Sequence, residues 1–109
     1  MEADANYYLV ANTDQLRPGK TLCVDLQGQE ILLCHTNEGF FAIDILCSHA
    51  AERLDGGRLK GCKLFCPLHG AAFDVRDGAA LSRPASAPVA SYPVKLVGDQ
   101  IWVCLGAPG

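Results

Sequence analysis

Two short motifs combine cysteine with histidine, the residue types that bind soft and borderline metals. The first, C-S-H, holds Cys47 and His49, and the second, C-P-L-H, holds Cys66 and His69, with sixteen residues between His49 and Cys66. Each motif places a thiolate and an imidazole on one tight loop. Two chance pairs on surface loops would instead leave exposed, oxidisable thiols at both places, from which an intracellular protein gains nothing. The spacing therefore predicts one metal centre with these four residues as its ligands.

Structural zinc and a two-iron cluster compete for two thiolates and two imidazoles. Zinc fingers usually carry one ligand type on each loop, a C-x-x-C pair followed by a pair of histidines. Here each loop carries one ligand of each type. This mixed order suits a [2Fe-2S] cluster in which Cys47 and Cys66 bind the inner iron and His49 and His69 bind the outer one.

The other cysteines and the third histidine are expected to be structural. Cys23, Cys34 and Cys104 lie in apolar runs, where a cysteine packs as a small apolar side chain. Cys62 is interpreted as a strand thiol, and His35 as a surface residue near the end of a strand.

Short β-strands separated by turns must position these motifs. Apolar alternation and Gly, Pro and Asn turn signals predict an all-β chain with no helix longer than three turns. The expected strands are residues 7–11, 21–26, 30–36, 40–45, 92–97 and 100–105. Glycine-rich loops and the metal motifs mark residues from about 45 to 75 as an inserted functional unit, followed by a polar loop at 82–88.

Length and charge limit the function classes. The 109 residues fit a single domain, spanning 1–109, and are too few for a multidomain enzyme. A formal net charge of -3 with no basic run argues against nucleic acid and anionic membranes as partners. We find no secretory signal or membrane span, which predicts a cytoplasmic protein with reduced thiols.

At these positions the chain resembles the Rieske family, and most closely the Rieske-type ferredoxins of bacterial aromatic-ring-hydroxylating dioxygenase systems. The resemblance rests on C-S-H, on C-P-L-H-G and on F-D-V after the second loop. It implies three stacked antiparallel sheets, with the cluster-binding subdomain at about 45–75 inserted among them. It also implies one Rieske [2Fe-2S] cluster and an electron carrier that is not itself an enzyme. Its implied partners are a flavin-dependent ferredoxin reductase and a terminal oxygenase, each met transiently by a monomer.

Departures from the respiratory members of the family predict the redox behaviour. Those members carry an extra cysteine in each loop, joined by a disulfide, where this chain has Glu52 and Leu68. They also carry a serine and a tyrosine that donate hydrogen bonds to cluster sulfurs, where this chain has Ala71 and Phe73. Because such bonds stabilise the reduced, more negative state, their loss predicts a midpoint potential at the low end of the Rieske range.

Three other functions fit parts of the sequence. A catalytic oxygenase subunit needs a further iron site with two histidines and a carboxylate, and only His35 remains for it. The small Rieske-like subunit of an assimilatory nitrite reductase has the same fold and length. A zinc-stapled structural module belongs to a different class, which metal analysis separates. Acidic Glu52, Asp55 and Asp74 near the loops could steer a partner, although a solvated face is the simpler interpretation.

Overall fold

The computed structural model describes residues 7–46, 53–67, 71–81 and 87–105. Ten β-strands and two 3₁₀ turns (Thr13–Gln15 and Leu54–Gly56) make up the regular structure of these residues. They contain no helix long and apolar enough to cross a bilayer. The strands are β1 (Tyr7–Asn12), β2 (Thr21–Leu26), β3 (Gln29–Thr36), β4 (Gly39–Asp44), β5 (Arg58–Lys60), β6 (Lys63–Phe65), β7 (Ala72–Asp74), β8 (Ser91–Tyr92), β9 (Val94–Val97) and β10 (Gln100–Cys104).

Three antiparallel sheets form, with strand orders β1-β10-β9, β2-β3-β4-β8 and β5-β6-β7. The β3 strand shows how they stack, because its alternate side chains enter two different cores. Leu32 and Cys34 pack towards the β5-β6-β7 sheet, whereas Ile31 and Leu33 pack towards the β1-β10-β9 sheet. The four-stranded sheet is therefore the middle layer, and the expected all-β arrangement of three stacked sheets is confirmed.

The expected strand at 92–97 is wrong in one respect, because the chain changes sheets at Pro93. Tyr92 pairs with Ala42 of β4, whereas Val94 pairs with Val103 of β10. Proline has no N–H for a ladder and so interrupts a strand readily. The Pro93 carbonyl still accepts a hydrogen bond from the Cys104 N–H at 3.0 Å. This break links the middle layer to an outer sheet within a few residues.

Most of the cysteine assignments hold, with one correction. Cys34 is fully buried in β3 and Cys104 is buried in β10. Cys23 is half-buried on β2, and its side chain packs against the core that faces the β5-β6-β7 sheet. Cys62 is not a strand thiol: it occupies the two-residue turn between β5 and β6, where Gly61 supplies the positive φ of 60° that the turn needs.

His35 is also more constrained than a surface residue. It lies one residue before the end of β3, as expected, but it is half-buried. Its ring stacks on Phe40 with centroids 3.9 Å apart, and Nδ1 lies 2.9 Å from the carbonyl oxygen of Leu16. These contacts tie the β3–β4 hairpin to the loop before β2.

Candidate metal centre

The residues on either side of the first ligand segment lie next to each other. An antiparallel bridge pairs Leu46 with Arg53, and the Leu54 N–H donates to the Ile45 carbonyl at 2.6 Å. The residues that flank 47–52 are therefore hydrogen-bonded to each other. The predicted ligands Cys47 and His49 belong to this segment and lie outside the described residues.

The residues on either side of the second ligand segment are also hydrogen-bonded to each other. The Cys66 N–H donates to the Ala71 carbonyl at 2.6 Å, so the residues that flank 67–70, between β6 and β7, are hydrogen-bonded to each other. The predicted ligand Cys66 is described and is only 3% exposed. The predicted ligand His69 lies outside the described residues.

One hydrophobic core holds both loop bases. Ile45 and Leu54 from the first base share a buried cluster with Cys66 and Ala71 from the second, and Phe73 of β7 fills the same core. The two cysteine–histidine segments therefore start from neighbouring positions. This is the arrangement that a shared metal centre requires, although the two motifs are far apart in the sequence.

Backbone packing between the loop bases requires glycine at position 57. A Cβ built on Gly57 would lie 2.1 Å from the carbonyl oxygen of Phe65 and 3.1 Å from that of Leu54. The backbone that follows the first loop thus packs directly against β6, the strand that immediately precedes Cys66. A cavity of about 410 Å³ opens beside this contact and is lined by Gly56, Gly57, Arg58, Phe65, Cys66 and Pro67.

Arg53 anchors the first loop to the middle sheet, a role that sequence inspection did not find. Its guanidinium forms ion pairs with Glu30 at 2.7 Å and with Asp55 at 3.0 Å, and Nη2 lies 3.6 Å from the Cys23 sulfur. Burial raises the pKa of the Cys23 thiol more than the hydrogen bond from Arg53 lowers it. Since the arginine is about half exposed, we assign it a geometric role with only a small contribution to stability.

Ala71 and Phe73, which share a core with Cys66, carry no hydroxyl group. Ala71 and Phe73 are both fully buried, and their side chains can only pack. The side chains at these two positions therefore cannot donate a hydrogen bond to a bound cluster.

The donor set fits a Rieske cluster better than it fits other metal centres. Two thiolates and two imidazoles match the ligand count of a [2Fe-2S] centre with one cysteine-bound and one histidine-bound iron. The third histidine of the chain, His35, is held by Phe40 and Leu16 in the opposite core region. Among the described residues no separate group of three metal-binding side chains occurs.

Comparisons with known proteins identify the family. The model of the Rieske [2Fe-2S] domain matches residues 6–93. The ferredoxin component of the naphthalene 1,2-dioxygenase system of Pseudomonas aeruginosa is 36% identical over 91 residues, covering 84% of this chain and 88% of that protein. The biphenyl 2,3-dioxygenase ferredoxin component of Rhodococcus jostii (strain RHA1) is 38% identical over 96 residues, covering 88% and 90%.

A solved structure gives the same result in three dimensions. The ferredoxin of carbazole 1,9a-dioxygenase from Nocardioides aromaticivorans IC177 superposes with a TM-score of 0.87 at 37% identity, covering 92% of this chain and 98% of that one. The chain therefore belongs to the Rieske [2Fe-2S] family, whose members carry one such cluster. The expected family and cofactor are confirmed.

Proposed function

We propose that this chain is a Rieske ferredoxin that carries single electrons from a flavin-dependent ferredoxin reductase to the terminal oxygenase of an aromatic-hydrocarbon dioxygenase system. Its relatives in the naphthalene and biphenyl systems are named ferredoxin components, and they match this chain over nearly their whole length. The observation that carries the proposal is the convergence of two closed loop bases, each leading to a cysteine–histidine pair, in one core.

We assign the cluster to Cys47, His49, Cys66 and His69, within a cluster-binding subdomain at about 45–75 of the single Rieske domain. A bound cluster of this type supplies one-electron redox chemistry at a potential above that of four-cysteine ferredoxins. The described part of the protein contributes a buried inner wall, formed by Cys66, Ala71 and Phe73. Because that wall lacks hydroxyl donors, we place the midpoint potential at the low end of the Rieske range.

We further propose a cytoplasmic monomer with transient partners, in keeping with the demands of a shuttle. A carrier must leave its donor before it meets its acceptor, which favours a small interface. Nucleic acid and membranes are not among the proposed partners, because the net charge is -3.

Anaerobic reduction tests the proposal. The purified holoprotein is mixed with NADH and the flavoprotein reductase of a naphthalene dioxygenase system, and its visible absorbance is followed. We expect the reductase to bleach the cluster and the matching terminal oxygenase to restore the oxidised spectrum. Reduction by a nitrite reductase flavoprotein alone would favour the alternative of a nitrite reductase small subunit. A colourless, zinc-containing protein would leave only the structural module.

A further inference from the structure

The β5–β6 hairpin presents a row of exposed cations, Arg58, Lys60 and Lys63, which we call the basic strip. They are three of only nine lysines and arginines in a chain of net charge -3. The residues that alternate with them, Leu59 and Leu64, pack into the core, so the strip lies on the outer face of this sheet.

The fold does not explain the strip. Lys60 and Lys63 are directly opposite each other across the two-residue turn, an arrangement in which like charges destabilise a hairpin. Within the described parts of the chain, neither lysine nor Arg58 takes part in a side-chain ion pair. The strip thus costs stability, which suggests that it serves binding.

The two described carboxylates next to the strip neutralise it only in part. Asp74 is opposite Lys63 on β7, but its carboxylate is 2.8 Å from the guanidinium of Arg76. Asp55, just before β5, is similarly paired with Arg53 at 3.0 Å. These two carboxylates, which the sequence offered as steering charges, also pair with arginines, and they are fewer than the three cations of the strip.

One end of the basic strip lies close to Cys66, a predicted cluster ligand. Arg58 is directly opposite the half-buried Phe65, and both line the cavity beside Cys66. Arginine and large aromatic side chains are the types that dominate binding energy at protein interfaces. An electron-transfer partner seated on the strip would therefore lie next to the segment that holds a cluster ligand.

We propose that the basic strip docks an acidic surface of the electron-donating reductase. This inference rests on the proposed carrier function and adds the chemistry of one partner to it. Opposite charges would both speed and orient the encounter, in a molecule whose remaining surface is acidic overall.

The charge of the cluster in its two redox states indicates that the acidic partner is the electron donor rather than the electron acceptor. A cluster with two thiolates and two neutral imidazoles is neutral when oxidised and singly negative when reduced. An acidic surface beside it therefore binds the oxidised ferredoxin more tightly and repels the reduced one. That preference helps release from the donor, whereas it would oppose binding of the reduced carrier to an acidic acceptor.

Association kinetics test the proposal without relying on turnover. Lys60→Gln/Lys63→Gln is compared with Arg17→Gln/Lys95→Gln, a double variant with the same net charge whose changes lie outside the hairpin. Binding of each oxidised holoprotein to the immobilised reductase is measured by interferometry. We expect the hairpin variant to associate about tenfold more slowly at low ionic strength, and the difference to vanish near 1 M salt, where the Debye length is about 3 Å.

The readouts separate the two hypotheses. The hairpin variant must keep the cluster spectrum and melt close to wild type, because it loses both a like-charge pair and the screened attraction between Lys63 and Asp74. Equal association rates for the two double variants would overturn the docking proposal while wild-type reduction still upheld the carrier function. A loss confined to binding of the terminal oxygenase would overturn the assignment to the reductase. Failure of the reductase to reduce wild type would instead contradict the carrier function itself.

Discussion

Replacing Gly57 with alanine tests the backbone contact that holds the two ligand segments together. The new Cβ would lie 2.1 Å from the Phe65 carbonyl oxygen, whereas real Cβ contacts essentially never fall below 3.0 Å. The backbone must therefore move by about 1 Å. The obstructing atom belongs to a paired strand, so no flexible side chain can absorb the shift.

The expected cost follows from overpacking. Forcing extra atoms into a packed region typically costs about 1–3 kcal/mol, and we expect about 2 kcal/mol or more here because the clash is with backbone. For a domain of this size that corresponds to a fall in Tm of about 8 °C or more. Because the moved strand delivers Cys66, we also expect less iron bound per protein.

Gly56→Ala is the matched control. Its Cβ would meet only the Pro67 Cγ at 3.8 Å, an ordinary contact, and Gly56 has no positive φ. Alanine at such a position is neutral or stabilises by up to about 1 kcal/mol. Both holoproteins are melted while far-ultraviolet circular dichroism and cluster absorbance are recorded. A Tm for Gly57→Ala within about 2 °C of the control, with full iron content, would refute the packing argument.

Three further predictions concern the cofactor and a titrating side chain. Cys66→Ser should abolish the cluster spectrum, whereas Cys104→Ser should leave it intact in the same absorbance measurement, and bleaching by the latter would mean that the ligands are misassigned. The midpoint potential, measured by dye-mediated titration, should lie below roughly zero, because Ala71 offers no hydroxyl donor, and a higher value would count against that reasoning. Burial and the hydrogen bond to Asp44 raise the pKa of Tyr92 to about 12. Its contribution to stability is therefore complete below pH 10 and disappears as the pH rises through 12, so unfolding of wild type and Tyr92→Phe should differ most below pH 10.

Local patterns in the sequence predict much of the fold, because each strand is bounded by its own turn chemistry. Gln27 and Gly28 both have positive φ, as a type I′ hairpin turn requires, and they fix the β2–β3 register. The break at Pro93 escapes such reasoning, because Tyr92 on one side and Val94 on the other both favour strands. The break becomes visible only in the structure, where β8 pairs with the middle sheet and β9 pairs with an outer sheet.

The ligand motifs are local and therefore visible in the sequence, whereas their support comes from distant segments. Arg53 reaches Glu30, 23 positions earlier, and no spacing rule predicts that ion pair. The need for glycine at position 57 depends on how close Phe65 comes, which is a tertiary property. The assignment of Cys47, His49, Cys66 and His69 as ligands stays a prediction, and all but Cys66 lie outside the described residues.

Low-temperature electron paramagnetic resonance before and after dithionite tests the central claim most directly, because it reports ligand type and redox activity together. The account predicts a protein that is silent when oxidised. After reduction it should give a rhombic spin-half signal with an average g below that of four-cysteine clusters. A colourless protein that is silent in both states and contains zinc would contradict it.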